Sequence, residues 1–165
     1  MTLWEQVIET VEAHRRHAEL SEAVLQAAFL FEKANLGVEA SPALGASQGW
    51  TREVIAEPVY LAARDQLVLS LRQLALERPD DPGVGSLFWA LGKVGDPSLV
   101  PFFQETLQQQ LERNPGAVYQ ILIALENLGQ RPFAGGEERS VRNAAENVET
   151  ARAYLARVGA DSSAR

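Results

Sequence analysis

The 165-residue chain contains no cysteine, which excludes a disulfide framework, a thiolate metal site and a cysteine nucleophile. A reducing compartment suits such a chain, so the cytoplasm is its expected location. Histidine is almost as scarce, with His14 and His17 the only two. No apolar run approaches the ~18 residues of a membrane helix. The first twenty residues carry Glu5, Glu9 and Glu12 where a signal peptide would have its apolar core. Neither secretion nor membrane contact is expected. Basic residues are in deficit, 15 Lys and Arg against 22 Asp and Glu, for a formal net charge of −7. Phosphate contacts need the opposite sign, so the balance argues against nucleic acid and favours a basic protein partner. The one basic cluster, Arg15 and Arg16 between the histidines, is too short to reverse this and reads as a solvated helix face.

Strand signals are also few. What is present is a chain 46% hydrophobic and 22% charged, the balance of a globular protein rather than a disordered one. Its length fits one domain, expected over 1–159 with a mobile tail at 160–165, and folding should bury about 70% of the unfolded chain's surface. The apolar residues recur at helical spacing. Thr2 and Glu5 have the form of a capping box, followed by a stripe of Trp4, Val7, Ile8 and Val11. A second helix over 20–36 carries Val24, Leu25, Ala28, Phe29 and Phe31, with Gly37 as its cap. The segment from Gly37 to Trp50 holds Pro42, Gly45 and Gly49 and reads as a loop. A long pattern over 51–77 follows, in which Pro58 either starts the helix or kinks it; its dense apolar part, Tyr60 to Leu76, is expected to be mostly buried.

One start signal then occurs three times, as Asp81-Pro82, Asp96-Pro97 and Asn114-Pro115. The Asx side chain accepts from free amides while proline takes the first helical position, where no donor is missed. These starts imply helices over 83–94, 97–113 and 115–128. A last helix over 137–158 places Val141, Ala144, Ala145, Val148, Leu155 and Val158 on one stripe, and Gly159 ends it.

Leu87, Ala90, Leu91, Val94 and Gly95 recur, each 34 residues later, as Ile121, Ala124, Leu125, Leu128 and Gly129. A unit of that length holds one helical hairpin, which cannot bury its apolar face alone and stacks on its neighbours. The run Leu91-Gly92-Lys93-Val94-Gly95-Asp96-Pro97-Ser98-Leu99-Val100-Pro101-Phe102-Phe103 resembles the inter-helix turn and second-helix start of a bacterial HEAT repeat. The likeness spans about 25 residues, with a fainter echo around Leu125 to Pro132 where Gly129-Gln130-Arg131-Pro132 departs from the Asp-Pro form. It implies an all-α fold, a short right-handed α-α superhelix of about three hairpins plus an N-terminal helix. The pairs would be 18–36 with 51–77, 83–94 with 97–113, and 115–128 with 137–158. The tetratricopeptide pattern, of similar period, is not evident.

Catalytic groups do not assemble in this sequence. His14 and His17 share a helix face but lack the third and fourth ligands a zinc site needs. No Gly-x-Ser-x-Gly elbow or phosphate loop occurs; Gly83-Val84-Gly85 and Gly135-Gly136 lack the strand-to-helix setting that gives such glycines meaning. No metal, cofactor or enzymatic activity is expected. Trp50, at the end of the small-residue loop, is a candidate interface anchor, although packing back over the hairpin suits it better, and Phe88 and Trp89 read as core. The HEAT resemblance implies that second helices line the concave surface. That points to Gln104, Glu105, Gln108 and Glu112, and on the last helix to Arg142, Glu146 and Glu149, as partner-binding residues.

The expected function is a small protein-binding or adaptor module, monomer or weak dimer. An immunity or antidote protein that plugs a basic toxin domain is its most concrete form. The alternatives are a HEAT-like enzyme, such as a DNA glycosylase or bilin lyase, and a structural subunit of a larger assembly. A glycosylase channel should be basic, yet between Gly83 and Phe133 Lys93, Arg113 and Arg131 are outnumbered by Asp96, Glu105, Glu112 and Glu126.

Overall fold

A computed structural model describes residues 3–14, 20–36, 58–133 and 143–163. Among them every regular element is helical: α1 (Leu3–His14), α2 (Leu20–Leu36), α3 (Pro58–Glu77), α4 (Val84–Gly92), a 3-10 turn (Pro97–Leu99), α5 (Val100–Arg113), α6 (Pro115–Asn127) and α7 (Ala144–Ser163). Thr2, Gly37, Trp50, Gly135, Gly136, Val141 and Arg142 lie outside the described residues.

Local chemistry explains most of the starts. The described part of α3 begins at Pro58. Asp96 caps the 3-10 turn, its carboxylate accepting from the Ser98 amide at 2.8 Å with Pro97 in the first position. The other two Asx-Pro pairs meet the expectation in part, Asp81 by accepting from a free amide and Pro115 by opening α6. Asp81 accepts from the Gly83 amide at 2.7 Å and makes a turn, so α4 begins only at Val84. Asn114 makes no side-chain cap; its amide reaches across to donate to the Asp81 carbonyl at 3.2 Å. The first and third start signals therefore lie side by side. Gln110 reinforces that junction by donating to the Pro79 carbonyl at 3.0 Å.

Packing arranges the helices in two rows. α2, α4 and α6 lie side by side in one; in the other α1 neighbours α3, and α5 neighbours α7. Across the rows α1 meets α2, α3 meets α4, and α6 meets both α5 and α7. Two expected pairs are thereby corrected. Helix α2 packs on α1 and α4 rather than on α3, and α4 packs on α2, α3 and α6 rather than closely on α5. The capped 3-10 turn after Gly95 leads the chain away, so that α4 and α5 meet through the rings of Phe88 and Phe102, 6.3 Å apart. The third expected pair is present as α6 with α7.

Glycine decides the closest approach. A Cβ on Gly92 would stand 2.9 Å from the Ala124 Cβ, and one on Gly85 would stand 3.6 Å from the Ala117 Cα, so α4 and α6 come together where side chains are smallest. The two repeat glycines that follow these helices, Gly95 and Gly129, have φ of 71° and 79°, the left-handed region that glycine enters without steric cost.

One continuous core runs from Trp4 to Tyr154, and all eight apolar repeat positions, from Leu87 to Leu128, belong to it. Four expectations about burial are revised. In α2 Ala27 and Leu30 are buried while Leu25 faces outward. Trp89 is half-buried, edge-on to Phe29 with ring centres 6.3 Å apart. In α7 the buried side chains are Asn147, Thr150, Ala151 and Tyr154, whereas Ala144 and Ala145 are exposed. In α3 Leu69 and Leu76 face away from the core. Gly159 does not end the last helix, which continues to Ser163 in place of the expected tail.

Candidate protein-binding face

The residues singled out on α5 divide by the helical period. Phe102, Phe103, Thr106, Leu107, Gln110 and Leu111 are buried, which leaves Glu105, Gln108 and Glu112 exposed along the opposite side. Gln104 stands between the two sets. It is half-buried and donates through Nε2 to the Tyr154 hydroxyl at 2.9 Å. Glu105 accepts a long 3.5 Å bond from Gln109 one turn on.

Helix α7 joins this face because α5 and α7 are neighbours. Asn143 starts it by accepting from the Glu146 amide at 3.0 Å, and Glu146 and Glu149 are exposed. Glu146 also places negative charge in the first turn, where the helix dipole favours it. Arg142 lies outside the described residues, as does Trp50. Glu105, Gln108, Glu112, Glu146 and Glu149 therefore stand on two neighbouring helices as an acidic and amide-bearing surface.

The anchor of that surface is a residue the helical pattern passed over. Tyr154 accepts from Gln104 and donates to the Gln130 Oε1 at 3.3 Å, tying α7 to α5 and to the turn after α6. Burial pushes its phenol above the ordinary value of 10.0, against the opposing hydrogen bond from Gln104 and the nearby charge of Arg157. Arg157 adds bonds to the Arg131 carbonyl at 2.9 Å and the Pro132 carbonyl at 3.2 Å. Periodicity could not find this network, because it scores Tyr154 and Asn147 as polar interruptions of an apolar stripe. A reading of matched hydrogen-bonding residues could.

Elsewhere, a dimple of about 30 Å³ lies between α4 and α6, lined by Trp89, Lys93, Gln120 and Asn127 among others. It has room for little more than a water molecule. Lys93 beside it pairs with Glu32 at 3.1 Å and stands 5.6 Å from the centre of the Trp89 ring. Among the described residues no three acidic or histidine side chains converge as a metal site would require; His14 ends α1, and His17 lies outside the described residues. Among these residues, too, no helix is long and apolar enough to cross a membrane. No protein-family model, curated protein or solved structure matches the chain.

Proposed function

We propose that this chain is a protein-binding module, a short HEAT-like right-handed α-α superhelix whose α5 and α7 surface receives a basic partner in a reducing compartment. The observation that supports it best is the exposed set Glu105, Gln108, Glu112, Glu146 and Glu149 on two neighbouring helices. The 34-residue recurrence adds to this, since stacked helical units present extended surfaces suited to macromolecules. Electrostatic complementarity raises the association rate and selects partners by charge. An antidote that covers a basic toxin domain is one concrete form of the same reading.

Affinity capture from the native cell at low ionic strength tests it, with the wild type run beside a Glu105→Lys, Glu112→Lys, Glu149→Lys variant. The wild type should enrich a basic protein that the charge-reversed variant loses, and added salt should weaken the capture. A wild type that enriches no protein above controls would refute the reading.

A further inference from the structure

Helix α3 carries apolar side chains on two opposite faces. Leu67, Leu71, Leu74 and Ala75 point into the core and are fully or almost fully buried. On the far side Ala62, Leu69 and Leu76 recur at seven-residue intervals and are exposed, Leu69 by 52% and Leu76 by 49%. Positions seven apart drift only about 20° around a helix, so the three form one seam. Polar Asp65, Gln66 and Gln73 flank it. A helix apolar on both sides is characteristic of one covered on both.

We propose that the α3 seam is a self-association surface, on which a second copy of this chain packs its own α3 antiparallel about a twofold axis at Leu69. The register follows from the seam's symmetry, because Ala62 and Leu76 lie equally far on either side of Leu69. Antiparallel pairing sets Leu69 against its counterpart and the small Ala62 against the large Leu76, so that side-chain volumes alternate across the contact. A twofold interface is isologous, and every such pairing occurs twice.

Charge selects the antiparallel orientation. Asp65 and Arg72 lie four residues before and three after Leu69, on the same flank of the seam by the helical period. In the antiparallel pair like flanks meet, which brings Asp65 of each copy level with Arg72 of the other. The Asp65 side chain is 71% exposed and already stands 3.2 Å from the guanidinium of its neighbour Arg64, so Arg72 of the second copy would join an existing pair. Arg72 is held at this flank with its guanidinium 5.0 Å from the Phe102 ring centre. A parallel pair would join unlike flanks and lose that match. The formal net charge of −7 on each copy opposes their approach, so the dimer is weak and is best observed at moderate salt.

The absence of cysteine makes the register directly readable. Sedimentation equilibrium across a wide concentration range should show the mass rising from 18.1 kDa towards twice that value. A Leu69→Glu, Leu76→Glu variant should keep its helical melting profile and stay monomeric. Under mild oxidation Leu69→Cys should form a disulfide dimer at least tenfold faster than Gln108→Cys on α5. An Ala62→Cys and Leu76→Cys mixture should cross-link faster than either protein alone. A wild type of 18.1 kDa at every concentration would overturn the proposal, whether the seam is bare or takes a different protein. So would Leu69→Cys reacting no faster than Gln108→Cys, or Ala62→Cys cross-linking fastest with itself.

Discussion

At Gly92 the spacing between two helices is set by a hydrogen atom. An added methyl would stand 2.9 Å from the Ala124 Cβ and 3.2 Å from its Cα, and neither atom belongs to a flexible chain end. Gly92→Ala should therefore cost about 1–3 kcal/mol, read as a lower denaturation midpoint at unchanged slope. Asp96 gives a pH-dependent counterpart. The hydrogen bonds from Ser98, backbone first, hold its carboxyl below the usual 3.8, against a smaller opposing effect of burial. A depressed value means that the stabilisation is present above pH 3.8 and is lost as the pH falls through the folded-state value. Asp96→Ala should lose about 1 kcal/mol at neutral pH, and its deficit against the wild type should shrink in acid. Asp96→Asn, which still caps, should be much closer to the wild type. The Asp96 cap and the glycines at 95 and 129 were legible in the sequence because their chemistry is local. The contact of Gly92 with Ala124 was not, since it depends on which helices become neighbours.

Among the elements, α7 shows where helical periodicity falls short. Of its expected stripe, Val148, Leu155 and Val158 pack against the core and Ala144 and Ala145 are exposed, while the buried side chains are Asn147, Thr150, Ala151 and Tyr154. Polar groups can be buried when they find partners, and Tyr154 does so with Gln104 and Gln130. Tyr154→Phe keeps the ring but leaves those two amides without their partner, which should cost about 1 kcal/mol. The loss should be concentrated in α7, seen as faster amide exchange there than in α4 or α6. In α1, by contrast, the apolar stripe and the buried face coincide at Trp4, Val7, Ile8 and Val11. For α3 the abundance of leucine suggested a mostly buried segment, and density of apolar residues could not separate the inner leucines from Leu69 and Leu76.

For the whole molecule, an all-helical chain with one core was readable from spacing and punctuation, while the partnership of its helices was not. The HEAT likeness implied that α4 pairs with α5, the next helix in sequence. The α4 helix instead makes its closest approach to α6, two helices on, through Gly92 and Ala124. Among the described residues two surfaces stand out, the acidic face of α5 and α7 and the leucine seam of α3, and the two have separate proposed roles. A photo-crosslinking side chain placed at Gln108 or at Leu69 in the native cell tests that division most directly. Position 108 should capture a different, basic protein, lost with Glu105→Lys and Glu112→Lys, and position 69 should capture a second copy of the same chain. Capture of no other protein at 108, or of a foreign protein and no second copy at 69, would contradict it.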